Sequence, residues 1–320
     1  DITQGKTRTN ACSIKFQLWE FGEWGSFPVW TKVRTVIAKM EWKPAPDGYP
    51  SSGDYLEGTL HDYKSNEIVG EMSMGWVSEF LRKAILQMDR ETGTSTILNN
   101  GETGEAHESW ESIGEKFKWK IDVDHSIGLI SKSGTGPWHD EDLERELNRV
   151  RKSWHSGTEW RYHLSIVKSY DYADSDSTPK LYAGNLYEVE SRNFEPVTRI
   201  GEQRAGFVVA TDWLFDKPVY GTLQGQKIKT IPKLLFRTAV HEFGHHLSLI
   251  HNDSDTNLMN VTEDIADKGT PVNPFPNNLS WEFDAVEKMR LKHGSDLYVR
   301  PLGIDFTEIY PSTDPFYQAY

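Results

Sequence analysis

Apolar and polar positions alternate through most of the first third of the chain. SIKFQLWEF, VWTKVRTVIAKMEW, YLEGTLHDY and EIVGEMSM are rich in β-branched and aromatic residues, and PAPDGYPSSGD and YKSNE punctuate them. That pattern predicts strands and turns from Ile14 to about residue 115, packed as a small β-sandwich. ILNNGETGEAHESWESIGE, with its Gly, Asn and Glu content, predicts long loops and a domain seam.

Beyond the seam the periodicity changes. FKWKIDVDHSIGLI predicts one or two strands, and DEDLERELNRVRKSWH carries Leu143, Leu147, Val150 and Trp154 at helical spacing. Asp140 and Asp142 in its first turn and Arg151 and Lys152 in its last complement the helix dipole. EWRYHLSIVKSY, LYAGNLYEVE and AGFVVATDWLF read as strands, followed by a long helix over about 231–249 with Pro232 just inside its start and Thr230 as a nearby cap. SWEFDAVEKMRLKHG predicts a further helix that stops at Gly294. The expectation is an α+β chain of two domains. Residues 1–115 form a mainly β domain with a binding or masking role, and residues 116–320 carry the mixed strands and helices.

Length agrees, since 320 residues suit two domains. A hydrophobic share of 37% against 26% charged residues is enough for packed cores. The net charge of -13 leaves no broad cationic surface, so neither nucleic acid nor an anionic membrane is an expected partner. The best apolar run, FVVATDWLF, falls far short of the ~20 residues that a membrane span requires. DITQGKTRTN has no basic start followed by an apolar run, so either export does not occur or a signal has been removed. A single cysteine, Cys12, excludes an internal disulfide and a cysteine zinc cage, leaving histidine and carboxylate as metal ligands. Sparse cysteine suits secreted bacterial enzymes and cytosolic proteins alike; a secreted, extracellular monomer is the expectation taken forward.

The chemistry concentrates in AVHEFGHHLSLIHNDSDTNLMN, residues 239–260. On a helix, His241 and His245 share a face and can offer imidazoles to one ion. Glu242, beside the first of them, can accept a proton from a metal-activated water. A catalytic zinc takes three protein ligands and keeps one open position, and His251, past the expected helix end, supplies the third. A shuffled chain of this composition would show the motif with that third histidine only about once in a thousand times.

The stretch resembles the metzincin clan of zinc peptidases, whose signature runs HExxHxxGxxH before a Met-turn, and within it the matrixin branch. The resemblance implies one catalytic zinc held by His241, His245 and His251, with Glu242 as general base and Met259 beneath the metal as an apolar floor without being a ligand. It implies a mixed twisted sheet, an active-site helix, the Met-turn and a C-terminal helix, the order already read between residues 115 and 294. It also implies endopeptidase activity on protein or peptide substrates, with VTEDIADKGTPVNPFPNN lining the pocket beyond the cut bond. Ser248 departs from the pattern by replacing the family's Gly, where left-handed backbone costs a non-Gly residue about 1 kcal/mol. No Tyr follows Met259 by two residues, so the extra tyrosine of the astacin-like and serralysin-like relatives is absent. A competing pattern is that of the gluzincins, whose third ligand is the Glu of ExxxD; Glu263 and Asp267 match it.

Weaker signals remain. Asp171, Asp174 and Asp176 are a candidate calcium site, with a solvated acidic loop as the plainer reading. Cys12 can be an inhibitory thiolate or an inert thiol, and the residues around it do not resemble the matrixin switch segment. His139, His155 and His163 have no ligand-type spacing and read as structural. Asn252, Asn260 and Asn278 start Asn-x-Ser/Thr patterns, two of them flanking the zinc motif where a glycan would obstruct substrate. The rival function is a binding or adhesion protein on a decayed peptidase fold.

Overall fold

The computed structural model describes residues 11–24, 27–47, 55–75, 78–152, 155–156, 159–171, 182–189, 203–252, 256–294 and 296–301. The chain divides into two units, Asp1–Glu79 and Phe80–Tyr320.

In the first unit, β1 (Ala11–Trp24), β2 (Phe27–Trp42), β3 (Tyr55–Asp62) and β4 (Ile68–Gly75) form an antiparallel sheet in chain order. Alternation decides its faces: Val36, Ala38 and Met40 are buried, whereas Lys39 and Glu41 between and beyond them are exposed. Leu56 joins the buried side, with Cys12, Ile14, Phe16, Trp42, Leu60, Met72 and Met74 packed against it. The expected sandwich is therefore corrected. Among the described residues this unit holds one sheet with one apolar face, and alternation alone cannot count sheets.

The second unit begins before the expected seam. β5 (Arg82–Glu91) pairs in parallel with β6 (Trp119–Ile130) and with β8 (Glu159–Val167), so it belongs to the central sheet of this unit. Order along that sheet is β6-β5-β8-β10-β9, with β10 (Gln203–Ala210) parallel to β8 and β9 (Gly184–Val189) antiparallel to β10; the short β7 (His155–Ser156) pairs with β8. The stretch expected as loop contains α1 (Trp110–Glu115), which starts with a reciprocal Ser109–Ser112 capping box and buries Trp110 and Ile113. A helix of six residues is too short to reveal a period among Glu and Gly, which explains the missed element.

Helices cover both faces of the sheet. On one side α3 (Pro232–His246) sets Phe236, Ala239, Val240 and Phe243 against Ala84, Leu86, Met88, Tyr162, Leu164, Ile166, Phe207 and Val209. On the other, Leu143 and Leu147 of α2 (Asp140–Val150) meet Ile130, Trp138, Val167, Val208 and Ala210. After α3 come α4 (Thr262–Asp267), α5 (Ala285–His293) and α6 (Asp296–Val299). Arg82 donates to the carbonyls of Leu291, Lys292 and Gly294, and Trp119 Nε1 to that of Leu291. These bonds satisfy carbonyls that the end of α5 leaves open. Tyr162 Oη donates to Val299 O at 2.6 Å, which ties α6 to the sheet. No helix among the described residues is long and apolar enough to cross a membrane.

The face under α2 carries a buried charge. Asp89 accepts from His163 Nε2 at 2.5 Å, Gln87 Nε2 at 2.7 Å and Gly128 N at 2.7 Å. Burial alone would raise the carboxyl's pKa, but the bonds from His163, Gln87 and Gly128 outweigh it and leave the group below its usual range. Since the folded-state pKa lies below the unfolded value of ~3.9, this contribution is complete above that pH and lost as pH falls through the folded value. Asp89→Asn, which disrupts the three hydrogen bonds of a buried carboxyl, is expected to cost about 1–3 kcal/mol at neutral pH. It is also expected to flatten the acid limb of the melting-temperature profile, read by thermal unfolding between pH 7 and pH 2.

Candidate metal centre

Pro232 opens α3 at its first turn, where the missing N–H costs nothing. Because the Phe236–Phe243 stripe faces the sheet, the neighbouring face carries Arg237, His241 and His245 at four-residue intervals. The helix ends in a Schellman turn: Ser248 N donates to His245 O at 2.8 Å and Leu249 N to Gly244 O at 3.0 Å, with Ser248 left-handed at φ 66°. Reversal at Ser248 brings His251 back towards the helix.

The three Nε2 atoms form a nearly equilateral triangle. His241 to His245 is 3.1 Å, His245 to His251 is 3.0 Å and His241 to His251 is 3.2 Å. His241 Nδ1 lies 2.8 Å from Leu258 O, and His245 Nδ1 lies 2.8 Å from Leu249 O. Carbonyl oxygens only accept, so in both rings Nδ1 carries the hydrogen. Burial, reinforced by Arg237, holds His241 well below the usual imidazole range, and burial with His251 nearby brings His245 to about 3. Both rings are therefore neutral at physiological pH, and their Nε2 lone pairs face each other. Lone pairs at 3.1 Å with no hydrogen between them call for a cation. Nitrogens arranged tetrahedrally at the usual zinc distance of ~2.0–2.1 Å stand about 3.3 Å apart, so this donor set fits zinc. Among the described residues these three form the group able to hold a metal ion, and Glu263 is not in it. Glu263, which matches the ExxxD pattern, pairs instead with Lys217 on the surface.

Glu242 is 7% exposed, and burial pushes its carboxyl up to about 8 while Arg237 pulls it down. A divalent cation at the histidines pulls it further in the same direction. Its seat is made by a missing side chain: a Cβ on Gly184, the first residue of β9, would lie 2.6 Å from Glu242 Cγ and 2.9 Å from Oε1. Arg237 was not anticipated. Its guanidinium donates to Leu258 O at 3.0 Å, to Thr262 Oγ1 at 2.9 Å and to Asn260 O. Leu258 O thus serves both Arg237 and His241. Asn257 Oδ1 accepts from the backbone of Met259 and Asn260 at 3.0 and 3.1 Å, closing the turn. Met259 is fully buried in that turn, with its sulfur against Gly244. Two signals were available in the sequence: a charge four residues before His241, and a glycine inside a stretch read as a strand.

Other candidates stand apart from the triangle. Asp171 is buried, and its carbonyl accepts from His139 Nδ1 at 2.9 Å; Asp174 and Asp176 lie outside the described residues. Cys12 is half-buried against the apolar face of the first unit. The three glycosylation-type asparagines turn inward. Asn252 donates to Asp284, Asn278 donates to Ile265 O and Asn260 is fully buried.

No protein-family model and no curated protein matches the chain. A solved structure, that of metalloproteinase-II from Bacteroides fragilis, is similar over 88% of this chain and 91% of that one, at 11% identity and a TM-score of 0.33. A score that low establishes neither fold nor function, so the functional reading stands on the chain's own residues.

Gly244→Ala tests the packing of the turn. The added methyl overlaps Met259 Sδ and lies 3.7 Å from Leu249 Cδ1. The expected loss is about 1–3 kcal/mol, measured by urea unfolding of the full chain.

Proposed function

We propose that this chain is a zinc-dependent endopeptidase of metzincin-like, matrixin-type design. The observation that carries the proposal is the triangle of three Nε2 atoms, two of them unprotonated, beside the buried carboxyl of Glu242. His241, His245 and His251 would hold the ion, leaving one coordination position open. Bound there, zinc supplies Lewis acidity, polarising a carbonyl and lowering the pKa of water.

Glu242 accepts the proton of the attacking water and returns it to the leaving amine, so the carbon–nitrogen bond breaks and two peptides result. Its buried setting strengthens that exchange, because few competing waters reach it. Arg237 keeps the turn under His241 in place, and Met259 gives the site an apolar floor. β9 ends the order of the central sheet, and a substrate added alongside it as an extended strand would pass Gly184 and so the carboxylate. The role of residues 1–79 in this activity is target binding or masking of the cleft.

Purified chain is expected to carry about one zinc, by elemental analysis, and to cleave casein until a chelator is added. Glu242→Ala should keep its zinc and lose about 100-fold or more in kcat. A metal-free, proteolytically silent chain that still binds a ligand would instead identify a binding protein on a decayed peptidase fold. Gly184→Ala displaces the carboxylate without touching a histidine. Its expected signature is unchanged zinc content with kcat lowered by about 100-fold, read by steady-state kinetics on a fluorogenic peptide.

A further inference from the structure

His241 and His245 ride on a packed helix, and each ring is held at Nδ1 by a carbonyl. His251 lies beyond that helix, exposed, in a stretch with no regular secondary structure. Two side chains flanking it tie its backbone to the rest of the second unit. Three residues before it, Ser248 is fully buried in the left-handed conformation, and its hydroxyl donates to the carbonyl of Tyr298 in α6. One residue after it, Asn252 Nδ2 donates to Asp284 Oδ2 at 2.5 Å, while Asn252 N donates to Met259 O at 3.2 Å. Asp284 is the N-cap of α5, accepting from Glu287 N at 2.6 Å. Both outside partners therefore belong to one C-terminal segment, which Arg82, Trp119 and Tyr162 pin to the sheet.

We infer that residues 284–299 act as a clamp on the third metal ligand, with Ser248 and Asn252 as its positioning residues. The inference rests on the zinc reading above. Glycine at 248 would adopt the left-handed backbone without strain, but it has no hydroxyl to reach Tyr298. Serine accepts the conformational cost and gains a fixed attachment. His251 is then presented at the right place by bonds on both sides.

The test uses the full chain, stripped of metal, with zinc alone as the probe in competition against a chromophoric chelator; apo-protein melting is recorded beside it. Ser248→Gly, Asn252→Ala and Asp284→Ser are each expected to bind zinc about 10–100-fold more weakly than wild type. Ser248→Gly isolates the hydroxyl because its backbone is relaxed, and Asp284→Ser keeps an N-cap while removing the carboxylate that Asn252 reaches. Zinc affinity equal to wild type in Ser248→Gly and Asp284→Ser overturns the clamp. So does a lower apo melting temperature with affinity unchanged, since that describes a purely structural role. Wild type that takes up no zinc fails at the earlier step and removes the metalloprotein reading itself.

Discussion

Imidazole nitrogens that both carry lone pairs repel when brought within hydrogen-bonding distance, and this chain holds those of His241 and His245 that way, with His251 Nε2 equally close to both. The arrangement persists because each of the two helix-borne rings is committed at its other nitrogen, His241 to Leu258 O and His245 to Leu249 O. Those two carbonyls decide the tautomer, and the tautomer decides where the lone pairs point. The turn after α3 and the end of α3 keep those two carbonyls where they are. The turn after residue 256 is closed by Asn257 and gripped by Arg237, and the helix end is closed by the Schellman turn.

The fold makes that commitment affordable by separating its two interiors. The apolar interior lies between the sheet and α3, where aromatic rings meet edge-on, as Trp110 does with Phe236 and Phe243. With Phe236 and Phe243 locked there, the rotation of α3 about its axis is set, and the histidine face follows from it. The opposite interior, under α2, mixes leucines with the Asp89–His163 pair. Asp89 on β5 and His163 on β8 sit on neighbouring strands, so their hydrogen bond ties those strands together.

Much of the site was legible in the sequence for a physical reason: helical spacing is a geometric statement, and His241 and His245 four residues apart must share a face. His251 was harder, because its place depends on a left-handed residue and on partners more than thirty residues away. Strands and helices with strong periods were read in the right order, as with α2 and α3; α3 lies within the expected 231–249, whereas α2 stops at Val150, before the expected last turn, because Arg151 is already extended. α1 was not seen, since Glu, Ser and Gly dominate its six residues and tertiary burial of Trp110 and Ile113 supplies the reason for the helix. The domain seam was set too late for a related reason. β5 looks like the strands before it, and only its parallel pairing with β6 and β8 assigns it to the second sheet. Arg237 and Gly184 each left a sequence signal, a charge four residues before His241 and a glycine within a strand, but what they contact, Leu258 O and Glu242, is set only in the fold.

The contact between Gly244 and Met259 has a consequence for how this protein can change over time. A side chain on the helix and a side chain in the turn compete for one small volume, and at present the turn occupies all of it. Any lineage that enlarges position 244 must shrink position 259 in the same step or pass through a poorly folded intermediate. The two positions are thus expected to vary as a couple across descendants, although fifteen places separate them along the chain.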